Sequence, residues 1–163
     1  MNYFKISFIT IALLMASRFA PHPPNFTSLL ALSFYLPAIF GRKYIPVILF
    51  GYFITDSIIG MHNTTFFTWG SIVIIGLLSK YFNKKFINRI SGAIIGACLF
   101  YVITNLGVWL IDHYGSEDET LLTSYILALP FFINSIISTL IFSLLLETLY
   151  KIKTINSFIY NVK

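Results

Sequence analysis

Charge is what this chain has least of. Only 10% of its 163 residues are Asp, Glu, Lys or Arg, against 57% apolar. A water-soluble domain usually carries charge on roughly a quarter of its residues. A polar exterior cannot be assembled from this composition, so lipid is the solvent that suits the chain. Cysteine is scarce too: Cys98 stands alone, which excludes an internal disulfide, and its place within an apolar run reads as a small core residue. The spacings that catalysis uses are missing. There is no H-E-x-x-H, no nucleophile elbow and no glycine-rich phosphate loop. The chain therefore reads as neither an enzyme nor an ATP-driven motor in its own right, and no cofactor is called for. His22, His62 and Asp56 come nearest to a metal-ligand set, but nothing in their spacing requires one. Internal repeats and low-complexity segments are absent as well.

What the sequence has in quantity is apolar and aromatic residues, including 17 Phe and 10 Tyr. These fall into six segments, at about 3–19, 26–40, 44–59, 66–82, 90–111 and 121–149. The expectation is an all-α, polytopic membrane bundle of about six transmembrane helices, forming a single domain over 1–163. A span needs about 20 residues. The second segment is short and contains Pro37, so it is expected to be tilted, kinked or partly re-entrant. The sixth is too long and is expected to bend at Pro130. The apolar run after Lys5 resembles a secretory signal, but Arg18, Phe19 and Pro21 crowd the place of a cleavage site, and it reads as a retained helix.

Basic residues give the orientation. With both termini on the cytoplasmic side, Lys5, Arg42, Lys43, Lys80, Lys84, Lys85, Arg89, Lys151, Lys153 and Lys163 all lie inside, and only Arg18 lies outside. That asymmetry is the positive-inside pattern of an inner or cytoplasmic membrane protein. The acidic link 112–119 then faces out. The basic charge is spread over short loops that meet anionic headgroups, so nucleic acid is not an expected partner. The tail 151–163 mixes Lys with Ile, Phe and Tyr and suits the membrane interface.

Polar side chains at membrane depth are costly and call for a reason. In this topology Arg18, His22, Asn25, Asp56, His62, Asn105, Trp109 and Asn134 all fall in the outer half. Asn105, Trp109 and Asp112 are spaced i, i+4, i+7 on one expected helical face. Groups from four segments converging there are what an outward-facing solute site needs, so these eight are the candidate substrate-binding residues. Plainer readings stand beside that one. Arg18 and Asp56 form a structural ion pair, the two asparagines act as inter-helical hydrogen-bond glue, the histidines lie in interfacial loops, and Trp109 belongs to an aromatic belt. Ala12 and Ala16, with Ala20, form a small-residue stripe on the first helix. It serves either packing within the bundle or docking of a partner membrane protein. Gly92, Gly96 and Ala97 form a similar stripe, expected to pack internally.

The strings Arg18–Ser28 (RFAPHPPNFTS), Asp56–His62 (DSIIGMH), Thr104–Leu110 (TNLGVWL) and Ala128–Asn134 (ALPFFIN) resemble, in order along nearly the whole chain, a family of small bacterial membrane proteins assigned to transport without a defined substrate. That family is similar in size and helix count to the S components of energy-coupling factor (ECF) transporters, although no vitamin-specific motif is present. The resemblance implies capture of a small solute from outside. It further implies docking, through Ala12 and Ala16, on ECF transmembrane and ATPase subunits. The alternative is a structural scaffold subunit like the six-helix protein of the bacterial cell-shape complex, which would have no use for a polar outer cavity.

Overall fold

A computed structural model describes residues 2–112 and 120–152 of the chain. The acidic link over 113–119 and the tail over 153–163 lie outside the described residues. Among the described residues there are seven α-helices and no strand: α1 Asn2–Phe19, α2 Leu29–Phe40, α3 Ile45–Ile59, α4 Thr65–Leu78, α5 Phe86–Gly107, α6 Leu121–Leu127 and α7 Leu129–Lys151. Short 3₁₀ turns precede α3 (42–44) and follow α4 (79–81), and a wide π-turn over 108–112 extends α5. Two glycines close helices in conformations that other residues rarely adopt: Gly41 (φ 91°) ends α2 and Gly60 (φ 127°) ends α3.

The expected sixth segment is two helices. Pro130 has no amide hydrogen, and its ring clashes with the carbonyl four residues back. The chain therefore leaves the helix at Ala128, and Pro130 occupies the first turn of α7. Beside the break, the Tyr125 carbonyl accepts a hydrogen bond from the Tyr101 hydroxyl at 2.6 Å. The fifth helix begins before Arg89, so that residue is not in a loop as its basic neighbours suggested. It turns inward as part of α5.

The short second helix is the hub. Every residue of α2 from Leu29 to Pro37 is buried, as befits a helix apolar on all sides. Leu32 and Leu36 pack with Leu14, Tyr44, Ile48 and Ile72 on one side. Leu30, Phe34 and Tyr35 pack with Ile75, Ala97 and Phe100 on the other. The Gly92–Gly96–Ala97 stripe packs internally as expected: a Cβ on Gly92 would lie 2.5 Å from the Phe34 ring, and Ala97 is fully buried. The Ala12 and Ala16 stripe is exposed, with Phe4 and Phe8 along the same side of α1. Cys98 is exposed as well, not a core residue, because the opposite face of α5 carries the small residues that pack.

Helix α7 is inside out by the standard of a soluble protein. Its buried residues are Ser135, Ser138, Thr139, Ser143 and Glu147. Ile133, Ile137, Ile141, Leu144 and Leu145 point away from the bundle, 44–55% exposed. The segments 86–111 and 129–151 are each long and apolar enough to cross a membrane. The helices of 29–40 and 65–81 are apolar but shorter.

The two ends of the bundle differ. At one end Tyr3 donates to the Lys43 carbonyl, Lys151 lies over the Phe86 ring, and Arg89 pairs with both carboxylate oxygens of Glu147 through its Nε and Nη2 (Nη2 to Oε2, 2.8 Å). The other end holds Arg18, the proline-rich loop, the α3–α4 turn and the α6–α7 break.

Candidate functional site

The site is built around one buried carboxylate. Asp56, in the last turn of α3, is 1% exposed. Arg18, in the last turn of α1, places Nη1 2.7 Å from Asp56 Oδ1 and 2.7 Å from the Thr55 hydroxyl. Trp69 of α4 donates its indole N–H to Oδ2 at 3.1 Å. The guanidinium also lies over the Tyr52 ring, 4.3 Å from its centroid. Tyr52 precedes Asp56 by four residues, so both occupy one face of α3. Two helices thus satisfy a charge carried by a third, which is the condition for keeping it buried. Arg18 remains 15% exposed, and its open side faces a cavity.

That cavity has two lobes, of about 270 and 220 Å³, with Arg18, Asn25, Tyr52, Phe100 and Ser135 common to both. The larger lobe adds His62, Asn105, Thr68, Thr104 and the rings of Tyr101, Phe131 and Phe132. The smaller adds His22 and Thr27. Polar groups from six parts of the chain (α1, the loop after it, the α3–α4 turn, α4, α5 and α7) therefore meet around one aromatic-walled space.

The loop that forms one wall is held at both sides. His22 places its ring nitrogens against the carbonyls of Pro23 (2.7 Å) and Arg18 (3.3 Å). From α7, Asn134 donates to the Pro24 carbonyl (3.0 Å) and Ser138 to that of Asn25 (3.4 Å). Asn25 takes a left-handed conformation, φ 63°, which asparagine tolerates better than most residues. Across the cavity, His62 lies 3.3 Å from the Thr68 hydroxyl, and Asn105 donates to the Tyr101 carbonyl at 2.7 Å.

Of the eight candidate residues, Arg18, His22, Asn25, His62 and Asn105 line the cavity. Asp56 stands behind Arg18 and fixes it. Trp109 and Asn134 are not among the lining residues. The i, i+4, i+7 alignment of Asn105, Trp109 and Asp112 presumed a regular α-helix, and the π-turn over 108–112 changes the rotation per residue just there; Val108 lines the cavity in place of Trp109. Asn134 points to the loop backbone instead. The aromatic walls, Ser135 and the second Asp56 partner, Trp69, escaped the sequence reading. Tyr52 carried a usable signal, being a helical-face neighbour of a charge that had to be neutralised, whereas Trp69 reaches Asp56 from another helix. Among the described residues, no group of three His, Cys, Asp or Glu could hold a metal ion.

The chain belongs to a family of unknown function, DUF6580, whose profile matches residues 2–158. No curated protein and no solved structure matches it. Neither a transport role nor a likeness to ECF S components comes with the family match.

Proposed function

We propose that this protein is a multi-pass membrane protein of the cytoplasmic membrane that captures a small solute from the outer face in the cavity beside Arg18. The membrane placement is supported by α7. A helix that buries serines, a threonine and a glutamate while turning isoleucine and leucine outward has the polarity that hydrocarbon demands and water penalises. Six crossings then follow from α1 to α5 and the α6–α7 unit, with the 3₁₀ turns lengthening α3 to 42–59 and α4 to 65–81. All described lysines and arginines except Arg18 fall at the opposite end from the cavity, which supports an outward-facing cavity.

Solute capture is carried by one observation: Arg18, Asn25, His62, Asn105 and Ser135, from separate elements, line a single space walled by Tyr52, Phe100, Tyr101, Phe131 and Phe132. An apolar cavity of about 150 Å³ holds benzene, so the larger lobe has room for a ring bearing polar substituents. Aromatic faces would sandwich such a ring, and the amides and histidine would meet its edge. The Arg18 guanidinium favours a ligand with an anionic or carbonyl oxygen. The exposed Ala12 and Ala16 leave a close-approach surface on α1 for an energising partner, of which an ECF-type module is the example this reading names.

Purified protein in detergent, heated with a panel of vitamins, nucleobases and metal ions, tests the proposal. At least one organic solute is expected to raise the melting temperature of the wild type and not that of Asn105→Leu. A panel that moves neither protein contradicts it.

A further inference from the structure

Helix α7 carries a row of polar residues that runs beyond the outer cavity. Ser135, Thr139, Ser143 and Glu147 follow one another at four-residue intervals, each no more than 2% exposed. Hydroxyls on this helix commonly donate back to the preceding turn, as Ser135 does to Phe131, Ser138 to Ser135 and Thr148 to Leu144. Thr139 and Ser143 do not. Their oxygens and the hydroxyl of Tyr35 on α2 are shielded from solvent and have no hydrogen-bond partner within the protein. Tyr35 presents its hydroxyl toward Ser143 and Glu147 without closing a bond of good geometry.

The row has two ends. Ser135 opens into both lobes of the outer cavity. Glu147 sits at the other end, paired with Arg89, whose Nη1 donates to the carbonyl of Asn83 in the loop before α5 (3.0 Å). Four residues of helix rise about 6 Å. One water spans such a gap with a hydrogen bond of about 2.8 Å on either side. Buried water settles where polar groups lack partners, and ionisable groups within membrane helices, as Glu147 would be, mark ion and proton routes.

We propose that this row is a proton route in which waters between Ser135, Thr139, Ser143 and Tyr35 connect the outer cavity to the Glu147 carboxylate. Each hop passes one proton along an O–H···O bond and leaves the hydroxyls and waters neutral. The carboxylate accepts the proton and becomes the neutral acid. Arg89 keeps its charge against the Tyr150 ring (5.2 Å) and the Asn83 carbonyl. Release of the proton to the inner side restores the pair. The titratable and charged groups facing Glu147 are Arg89 from α5 and Tyr35 from α2, while Tyr150 lies against Arg89 and Ser143 against Tyr35. The proposal rests on the membrane placement above and not on the solute.

Full-length protein reconstituted in liposomes with a trapped pH-sensitive dye, under an imposed potassium diffusion potential, reads proton uptake directly. Wild-type vesicles are expected to take up protons severalfold faster than protein-free ones. Thr139→Val keeps the shape and removes the hydroxyl, and it is expected to return uptake to the protein-free rate while the protein still melts cooperatively. Ser143→Ala decides the same point if Thr139→Val does not incorporate. Uptake by wild type at the protein-free rate overturns the proposal, as does undiminished uptake by a folded variant. Protein that fails to float with the vesicles overturns the membrane placement itself and is recognised before any flux is measured. A proton route that stands while no solute binds leaves only the capture reading refuted.

Discussion

Trp69 donates its indole N–H to the carboxylate oxygen of Asp56 that Arg18 leaves open. The two oxygens of one buried acid are thereby shared between a cation from α1 and a neutral donor from α4. The consequence is unequal weights for the partners. Arg18→Ala leaves a buried carboxylate without its counter-charge, and loss of one partner of a buried pair costs about 3–5 kcal/mol. Trp69→Phe removes a single hydrogen bond to a charged acceptor, a loss of about 1.5–3 kcal/mol. Denaturant unfolding in detergent should rank Arg18→Ala below Trp69→Phe and both below wild type. Equal stability of all three proteins would refute this account of the pair.

The proposed membrane exposure of α7 makes a prediction whose sign differs from that for a soluble protein. Ile141 lies near the middle of the helix and is 44% exposed. Ile141→Arg places a charge on the outward face, at an insertion cost of about 2.5–3.5 kcal/mol for a helix centre. The variant is expected to lose membrane yield sharply. In water the same change would be neutral or improve solubility. Fractionation of cells expressing both proteins distinguishes the outcomes.

Close packing of α5 on α4 gives a third prediction. A Cβ on Gly107 would collide with the Phe67 ring, close to the ring's attachment as well as its edge. Gly107→Ala should cost about 1–3 kcal/mol through overpacking, and the additional change Phe67→Leu should recover part of it. Melting temperatures of the single and double variants check both statements. Gly70 offers a control, since nothing stands within 4 Å of a Cβ there.

The turn after α1 gives a fourth. Asn25 has φ 63°, where a β-branched residue is strained by roughly 1–2 kcal/mol. Asn25→Val is expected to loosen the 21–25 loop and speed its proteolysis, while Asn25→Gly is expected to leave the loop as resistant as in wild type. Rates of limited proteolysis at that loop measure the difference.

The helical segments were legible because long apolar runs have few other uses, and Arg18 and Asp56 stood out because isolated charges among apolar residues need partners. Their pairing required the topology, which the basic loops supplied. The cavity walls were not legible. With 17 Phe and 10 Tyr in the chain, nothing local separates Phe100 and Phe132, which face the cavity, from Phe66, which is 86% exposed. Trp109 misled because a π-turn over 108–112 displaced it from the face that regular spacing assigned. Asn134 misled for another reason: a loop carbonyl 110 residues earlier in the chain claims its amide. Glu147 was the missed opportunity. As the one carboxylate inside a 23-residue apolar helix, it demanded a partner as plainly as Asp56 did, and Arg89 was hidden among basic residues that read as marks of topology.

Native mass spectrometry of the protein released directly from cell membranes tests the central claim most simply. Ser135 contributes to both lobes and donates only to its own helix, so Ser135→Leu fills the cavity without breaking a tertiary bond. The account predicts a small organic molecule retained on the wild type and absent from Ser135→Leu. The same mass on both proteins, or a bare wild type that no added solute changes, would contradict it.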